Sequence, residues 1–89
     1  MNKMEIRYAK AAKKALESYD RPTKQRIRAA ILGLTEKPPK GDIKRMEGFN
    51  DGRLRLRVGG YRVVFRYDHD GQLEILQIIN IDSRGGVYK

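Results

Sequence analysis

The sequence predicts an α+β domain in which a two-helix hairpin packs on a mostly antiparallel sheet of about four strands, in the order β-α-α-β-β-β. Three observations carry that expectation. The apolar period is two at the start of the chain, shifts to three and four between residues 9 and 34, and returns to two from residue 53 onward. Turn signals, Gly59-Gly60 and Asp68-His69-Asp70-Gly71, then cut the second half into three strand-length pieces. Finally, 89 residues suffice for one modest core and no more, so residues 1–89 are read as a single domain.

Residues 3–8, KMEIRY, alternate Met4, Ile6 and Tyr8 with charged neighbours and read as a half-buried strand. From Ala9 to Tyr19 strong helix formers dominate, and Ala12, Ala15, Leu16 and Tyr19 fall on one face. Asp20 and Pro22 signal a second helix start, because an aspartate can cap orphan amides and proline fits a first turn. Its apolar stripe is Ile27, Ala30, Ile31 and Leu34, and Glu36, Lys37, Pro38 and Pro39 end it. Residues 40–50 form a basic connector in which Ile43, Met46 and Phe49 anchor either a loop or a brief strand; the pattern does not separate the two. Strands follow at Arg53–Val58, Tyr61–Tyr67 and Leu73–Ile81. The last, LEILQIINI, is apolar on both faces and is expected in the sheet interior.

The composition narrows the chemistry. Twenty Lys and Arg against 11 Asp and Glu give a formal charge of +9, which calls for an anionic partner without choosing among nucleic acid, an acidic protein segment and a membrane surface. With no cysteine there is no disulfide or thiolate site, and with one histidine and no HxxxH a metal-dependent hydrolase is not expected. No metal and no cofactor are expected. The charged N-terminal stretch lacks the apolar run of a signal peptide and nothing reaches membrane-span length, so a cytoplasmic location without membrane contact is the expectation.

The stretch RLRLRVGGYRVVF, residues 53–65, holds the main functional signal. A two-residue Gly59-Gly60 loop places Val58 opposite Tyr61, Arg57 opposite Arg62, Leu56 opposite Val63 and Arg53 opposite Arg66, and cross-strand partners share a face. Leu54, Leu56, Val58, Tyr61, Val63 and Phe65 then line one side. Arg53, Arg55, Arg57, Arg62 and Arg66 line the other, with Val64 as the exception. A three-residue loop would reverse this sorting for one strand. Like charges set opposite each other cost up to about 1 kcal/mol per pair, so the face asks for a reason. A solvated outer surface is one; a phosphate backbone gripped by planar guanidinium forks is the other. His69 falls in the DHDG turn, a solvated position, and the tail RGGVYK adds Arg84 and Tyr88.

Leu34 to Pro38 at the helix exit, the MEG segment at residues 46–48, RLRVGGYRVVF and the terminal Arg84 to Tyr88 together resemble, along nearly the whole chain, the RelE/ParE superfamily of bacterial toxin–antitoxin systems, and specifically its RelE-like ribosome-dependent mRNA endonucleases. The resemblance implies a metal-independent endoribonuclease that enters the ribosomal A site and cuts mRNA by attack of a ribose 2′-hydroxyl on the neighbouring phosphate. It implies catalytic roles for Arg62, Arg84, Tyr88 and Arg55: Arg62 holding the scissile phosphate, and Tyr88 stacking on a base and assisting proton transfer. Arg53, Arg57, Arg66, Lys44 and Arg45 are the RNA-binding candidates. Where some relatives carry a basic residue two positions before the equivalent of Arg84, this chain has Asp82, which weakens the local field. The implied partners are the ribosome with its A-site mRNA and a cognate antitoxin carrying an acidic flexible segment. Two other readings stay open: a ParE-like inhibitor of a topoisomerase (gyrase) acting by protein binding, and a nucleic-acid-binding relative with weak catalysis.

Overall fold

The structure, a computed structural model, describes residues 4–83. β1 (Met4–Tyr8) leads into α1 (Lys10–Ser18) and α2 (Arg21–Gly33), followed by β2 (Asp42–Arg45), β3 (Leu54–Val58), β4 (Tyr61–Asp70) and β5 (Leu73–Ser83). The strands form one mixed sheet in the order β1-β5-β4-β3-β2, with β1 parallel to β5 and every other pair antiparallel. The α+β class matches the expectation, but the sheet has five strands rather than about four. The added one is β2, which settles the connector as a strand: Ile43 pairs with Leu56 and packs against the core, while Gly41 bends the chain at φ 127.

Both helices lie on one side of the sheet, where Ala12, Leu16, Ile27, Ile31 and Leu34 meet Leu56, Val58, Val63, Phe65, Leu76, Ile78 and Ile81. Each large side chain removed from water there contributes about 1.5–3 kcal/mol before entropy is counted, which makes this layer the main source of stability. The start of α2 is built as the sequence implies: Asp20 accepts a hydrogen bond from the Thr23 amide at 3.1 Å and proline sits in the first turn. Its end is earlier than the proline pair implied. The helix closes at Gly33, whose carbonyl accepts from the Lys40 amide at 3.0 Å, so the segment up to Pro39 is a turn rather than the last helical turn.

The β3–β4 loop is the two-residue one, pairing Val58 with Tyr61, Arg57 with Arg62 and Leu56 with Val63. Gly59 alone carries the positive φ (59), as at the first position of a type II′ turn. Two boundaries differ from expectation. Arg53 falls just outside β3, and β4 and β5 run on to a tighter hairpin in which Asp70 pairs with Leu73. His69 is therefore a strand residue on β4 and not part of a turn.

β5 lies inside the sheet, between β1 and β4, as its apolar sequence implied. A bulge explains why that sequence breaks the period of two. Val64 pairs with Asn80 and Phe65 with Ile78, leaving Ile79 as the extra residue, so Ile78 and Ile81 both reach the helix side although three positions apart.

Candidate nucleic-acid interface

The hairpin register decides what the side of the sheet away from the helices presents. Across β2, β3, β4 and β5, Asp42 pairs with Arg57, Arg57 with Arg62 and Arg62 with Asp82. One row therefore reads acid, arginine, arginine, acid. The next row runs Lys44, Arg55, Val64, Asn80. Of the two connector candidates, Lys44 joins the arginine side, whereas Arg45, one residue on and paired with Leu54, has the parity of the helix side.

Carboxylates answer most of these cations. Arg62 meets Asp82 in a two-pronged pair, its Nε donating to Oδ1 at 3.2 Å and its Nη2 to Oδ2 at 2.9 Å. Arg55 lies flat toward β2, its Nη1 donating to the Asp42 carbonyl at 3.2 Å with an Asp42 carboxylate oxygen 3.6 Å away, and its side chain is only 16% exposed. Asp51, in the loop before β3, accepts from Arg53 Nη2 at 2.8 Å and from Arg66 Nη1 at 3.1 Å. Arg66 also lies 3.7 Å from Asp68. Arg57 is exposed, and so is Lys44.

These pairs change the meaning of the arginine-rich strand. Five arginines on one side looked electrostatically costly, yet Asp42 and Asp82 bracket the opposed Arg57 and Arg62, and Asp51 ties Arg53 to Arg66. Part of the answer to why they can sit together is internal neutralisation. The hydrogen bonds from Arg53 hold the Asp51 carboxyl down to about 2, so the clamp stays ionised at any neutral pH. Neither Asp51 nor Asp42 was among the sequence candidates. The available signals were the Asp51-Gly52 turn directly before Arg53 and the alternation Asp42, Ile43, Lys44, which acquires meaning only once β2 is paired.

The chemistry on this face is electrostatic. Guanidinium groups can hold a phosphate and stabilise charge as it grows during displacement, but they remain protonated and remove no proton. His69, the only histidine, stands seven residues along β4 from Arg62, about 23 Å at strand rise, too far to act on the same phosphate. Tyr8, Tyr19 and Tyr67 are each pushed above the ordinary tyrosine range by burial, the wrong direction for a base at neutral pH. Arg84 and Tyr88 lie outside the described residues. Among the described residues no group of three or more His, Asp or Glu is placed to hold a metal ion. A groove of about 350 Å³ lies elsewhere, lined by Leu34, Lys37, Pro38, Tyr67, His69 and Glu74 among others, and it contains none of the arginines discussed here. No helix among the described residues is long and apolar enough to cross a membrane.

A search of curated proteins found no significant match. The family model for the ParE toxin of type II toxin-antitoxin system, parDE, matches residues 6–88. Among solved structures, the chain is similar to the archaeal RelE-RelB complex from Pyrococcus horikoshii OT3, with 27% identity, a TM-score of 0.66, and coverage of 92% of this chain and 96% of that one. It is also similar to the RelB-RelE antitoxin-toxin complex from Methanococcus jannaschii, with 25% identity, a TM-score of 0.62, and coverage of 91% and 93%. The toxin-antitoxin complex RelBE2 from Mycobacterium tuberculosis shares the fold at 21% identity and a TM-score of 0.71, covering 91% and 98%. With the family model spanning almost every residue and the helix pair on a mixed sheet shared by these complexes, the chain belongs to the RelE/ParE superfamily and is a toxin of a type II toxin-antitoxin system.

Proposed function

We propose that this toxin is a ribosome-dependent endoribonuclease that cuts mRNA in the ribosomal A site through attack of a ribose 2′-hydroxyl on the scissile phosphate. The observation that carries the reading is the hairpin register, which sets Lys44, Arg55, Arg57, Arg62 and Arg66 on one side of the sheet with the described helices on the other. Arg62 is the candidate clamp for the phosphate, and Arg57 and Lys44 are the exposed cations nearest to it in the ladder. Similarity to two archaeal RelE proteins at 27% and 25% identity points the same way. Arg84 and Tyr88 complete the proposed catalytic set, Tyr88 supplying the proton transfer that the arginines of this face cannot.

The Arg62–Asp82 pair is compatible with this chemistry. Its side chains are 39% and 36% exposed, and pairs of that exposure contribute at most about 1 kcal/mol, so an RNA phosphate held in place by the ribosome can take over the arginine fork. The same pair implies slow cleavage of free RNA. A second reading, inhibition of a topoisomerase by protein binding, is favoured by the match to the ParE family model and by the carboxylates that already occupy Arg53, Arg55, Arg62 and Arg66.

A reconstituted translation reaction with mapped mRNA ends separates the two. Cuts that need ribosomes, disappear with Arg62→Ala and fall with Tyr88→Phe support the nuclease. Intact mRNA together with inhibited DNA supercoiling sinks it in favour of the second reading. Under either reading the chain acts in the cytoplasm and is held by a cognate antitoxin with an acidic flexible segment. The two archaeal relatives were solved in complex with RelB, and a charge of +9 favours an acidic segment. Co-purification with the product of the neighbouring gene is the check, and an antitoxin that leaves translation inhibited would count against it.

A further inference from the structure

Phe49 and Arg53 stand out from the phosphate-gripping pattern. Phe49 is a wholly apolar side chain, yet it is 45% exposed in the loop between β2 and β3, with Gly48 and Gly52 on either side in left-handed conformations at φ 87 and φ 76. The Arg53 guanidinium carbon sits 4.2 Å from the centre of its ring, a cation–π stack. Asp51 holds the same guanidinium edge-on, accepting from Nε at 3.1 Å and from Nη2 at 2.8 Å. The Nε–Nη2 edge, one of the two edges that can grip a phosphate in fork fashion, is thus occupied, and the plane is fixed. Asp51 leaves to a ligand the other guanidinium face, the Nη1 end and the uncovered part of the Phe49 ring; the Arg53 side chain is 24% exposed.

Flat π surfaces held rigid beside a row of cations are what the bases of a single strand stack on. Arg66, which shares Asp51 with Arg53, is four residues from Arg62 on β4, about 13 Å at strand rise, so the pair lies a short run of backbone away from the phosphate clamp. We infer that Phe49 and Arg53 form a base-stacking shelf for the single-stranded RNA substrate, Arg53 acting through its face and not as a phosphate ligand. The shelf rests on the nuclease reading and adds a residue, Phe49, that positions the substrate. Stacking is tolerant of base identity, so the shelf supplies register along the strand and little discrimination among bases.

The chain has no tryptophan, so Phe49→Trp places a single indole fluorophore in the shelf. Two RNAs of equal length are titrated into the purified full chain: an ordinary single strand, and an abasic one that keeps ribose and phosphate. The ordinary strand is expected to quench the indole emission of the Phe49→Trp variant and the abasic strand to leave it unchanged. Phe49→Ala is expected to weaken binding of the ordinary strand by roughly 5- to 150-fold without affecting the abasic one. Arg53→Lys, which keeps the charge and loses the plane, should act in the same direction, whereas Arg57→Ala should weaken both. Equal affinity of the unsubstituted chain for the two RNAs, or no effect of Phe49→Ala while ribosome-dependent cutting persists, overturns the shelf alone. A chain that binds neither RNA and cuts nothing overturns the shelf and the nuclease together.

Discussion

Replacing Asp82 with Asn should make the protein less stable and a better binder of RNA at the same time. Asn preserves the shape of the side chain and removes the charge that occupies the Arg62 fork through contacts at 3.2 and 2.9 Å. A pair whose members are 39% and 36% exposed contributes about 0.2–1 kcal/mol to folding. Its loss also uncovers the repulsion between Arg62 and the directly opposed Arg57, a few tenths to about 1 kcal/mol more. The expected sum is roughly 0.5–2 kcal/mol, and 1 kcal/mol lowers Tm by about 4–8 °C in a domain of this size. A phosphate approaching Arg62 no longer has to displace a carboxylate, so affinity for single-stranded RNA should rise by up to about fivefold. The plot of log affinity against log salt should steepen by about 0.7, the mark of one further phosphate neutralised. Fluorescence anisotropy of a labelled RNA over a potassium chloride series measures both quantities, and thermal melting measures the loss of stability. Glu17→Gln, on the exposed face of α1, is the control, because it adds the same unit of charge away from the sheet. A destabilised Asp82→Asn chain with unchanged affinity and slope, or a control that gains as much, would refute the placement of Arg62 against the RNA backbone.

Three further expectations test other parts of the fold. Asp20→Ala removes the acceptor that caps the Thr23 amide at 3.1 Å and should cost about 1 kcal/mol, read as a shift in the urea midpoint at constant slope. Gly41→Ala should cost more than that, because the backbone is at φ 127 and the new Cβ would come within 2.5 Å of a Leu56 methyl; β2 amides, and few others, should lose hydrogen-exchange protection. The Asp51 carboxyl is held below its ordinary 3.8, at about 2, so the clamp contributes in full above pH 3.8 and its contribution is lost as pH falls through about 2. A carbon-detected NMR titration should find its midpoint near 2, and Arg53→Lys should move that midpoint upward.

The fold was legible wherever a local rule and the hydrophobic pattern agreed. Gly59-Gly60 fixed the hairpin because two glycines between period-two strands leave a two-residue turn as the simplest connection, and every side chain from Leu54 to Phe65 then took its predicted side. Asp20 and Pro22 marked a helix start for equally local reasons. What escaped was non-local. Residues 42–45 offer one apolar residue, Ile43, to signal a strand, and only the edge of β3 makes it one. The bulge at Ile79 hides in LEILQIINI, since an extra residue in one strand is defined by its partner's count and not by its own sequence. The parallel pairing of β1 with β5 joins segments from opposite ends of the chain and leaves no trace in either segment alone.

The cations of this face were legible in the sequence; of their partners only Asp82 stood out, as an acid that weakens the field and not as the mate of Arg62, and the asymmetry has a physical cause. Arginine parity follows from one hairpin, so Arg55, Arg57 and Arg62 could be placed together from a single short stretch of sequence. The aspartates come from three different places: Asp42 from the connector, Asp51 from a loop and Asp82 from the far side of the bulge. Had β5 kept strict alternation from Ile78 onward, Ile81 would have turned away from the helices and Asp82 toward them. The bulge corrects both at once, keeping Ile81 in the core and delivering Asp82 to Arg62. A one-residue insertion therefore tunes the electrostatics of the face. Deleting Ile79 should leave a regular ladder, because Asn80, Ile81 and Asp82 would then follow Ile78 in strict alternation opposite Val64, Val63 and Arg62, keeping Ile81 in the core and Asp82 on Arg62; a deletion that breaks the Arg62–Asp82 pair would refute this reading of the bulge.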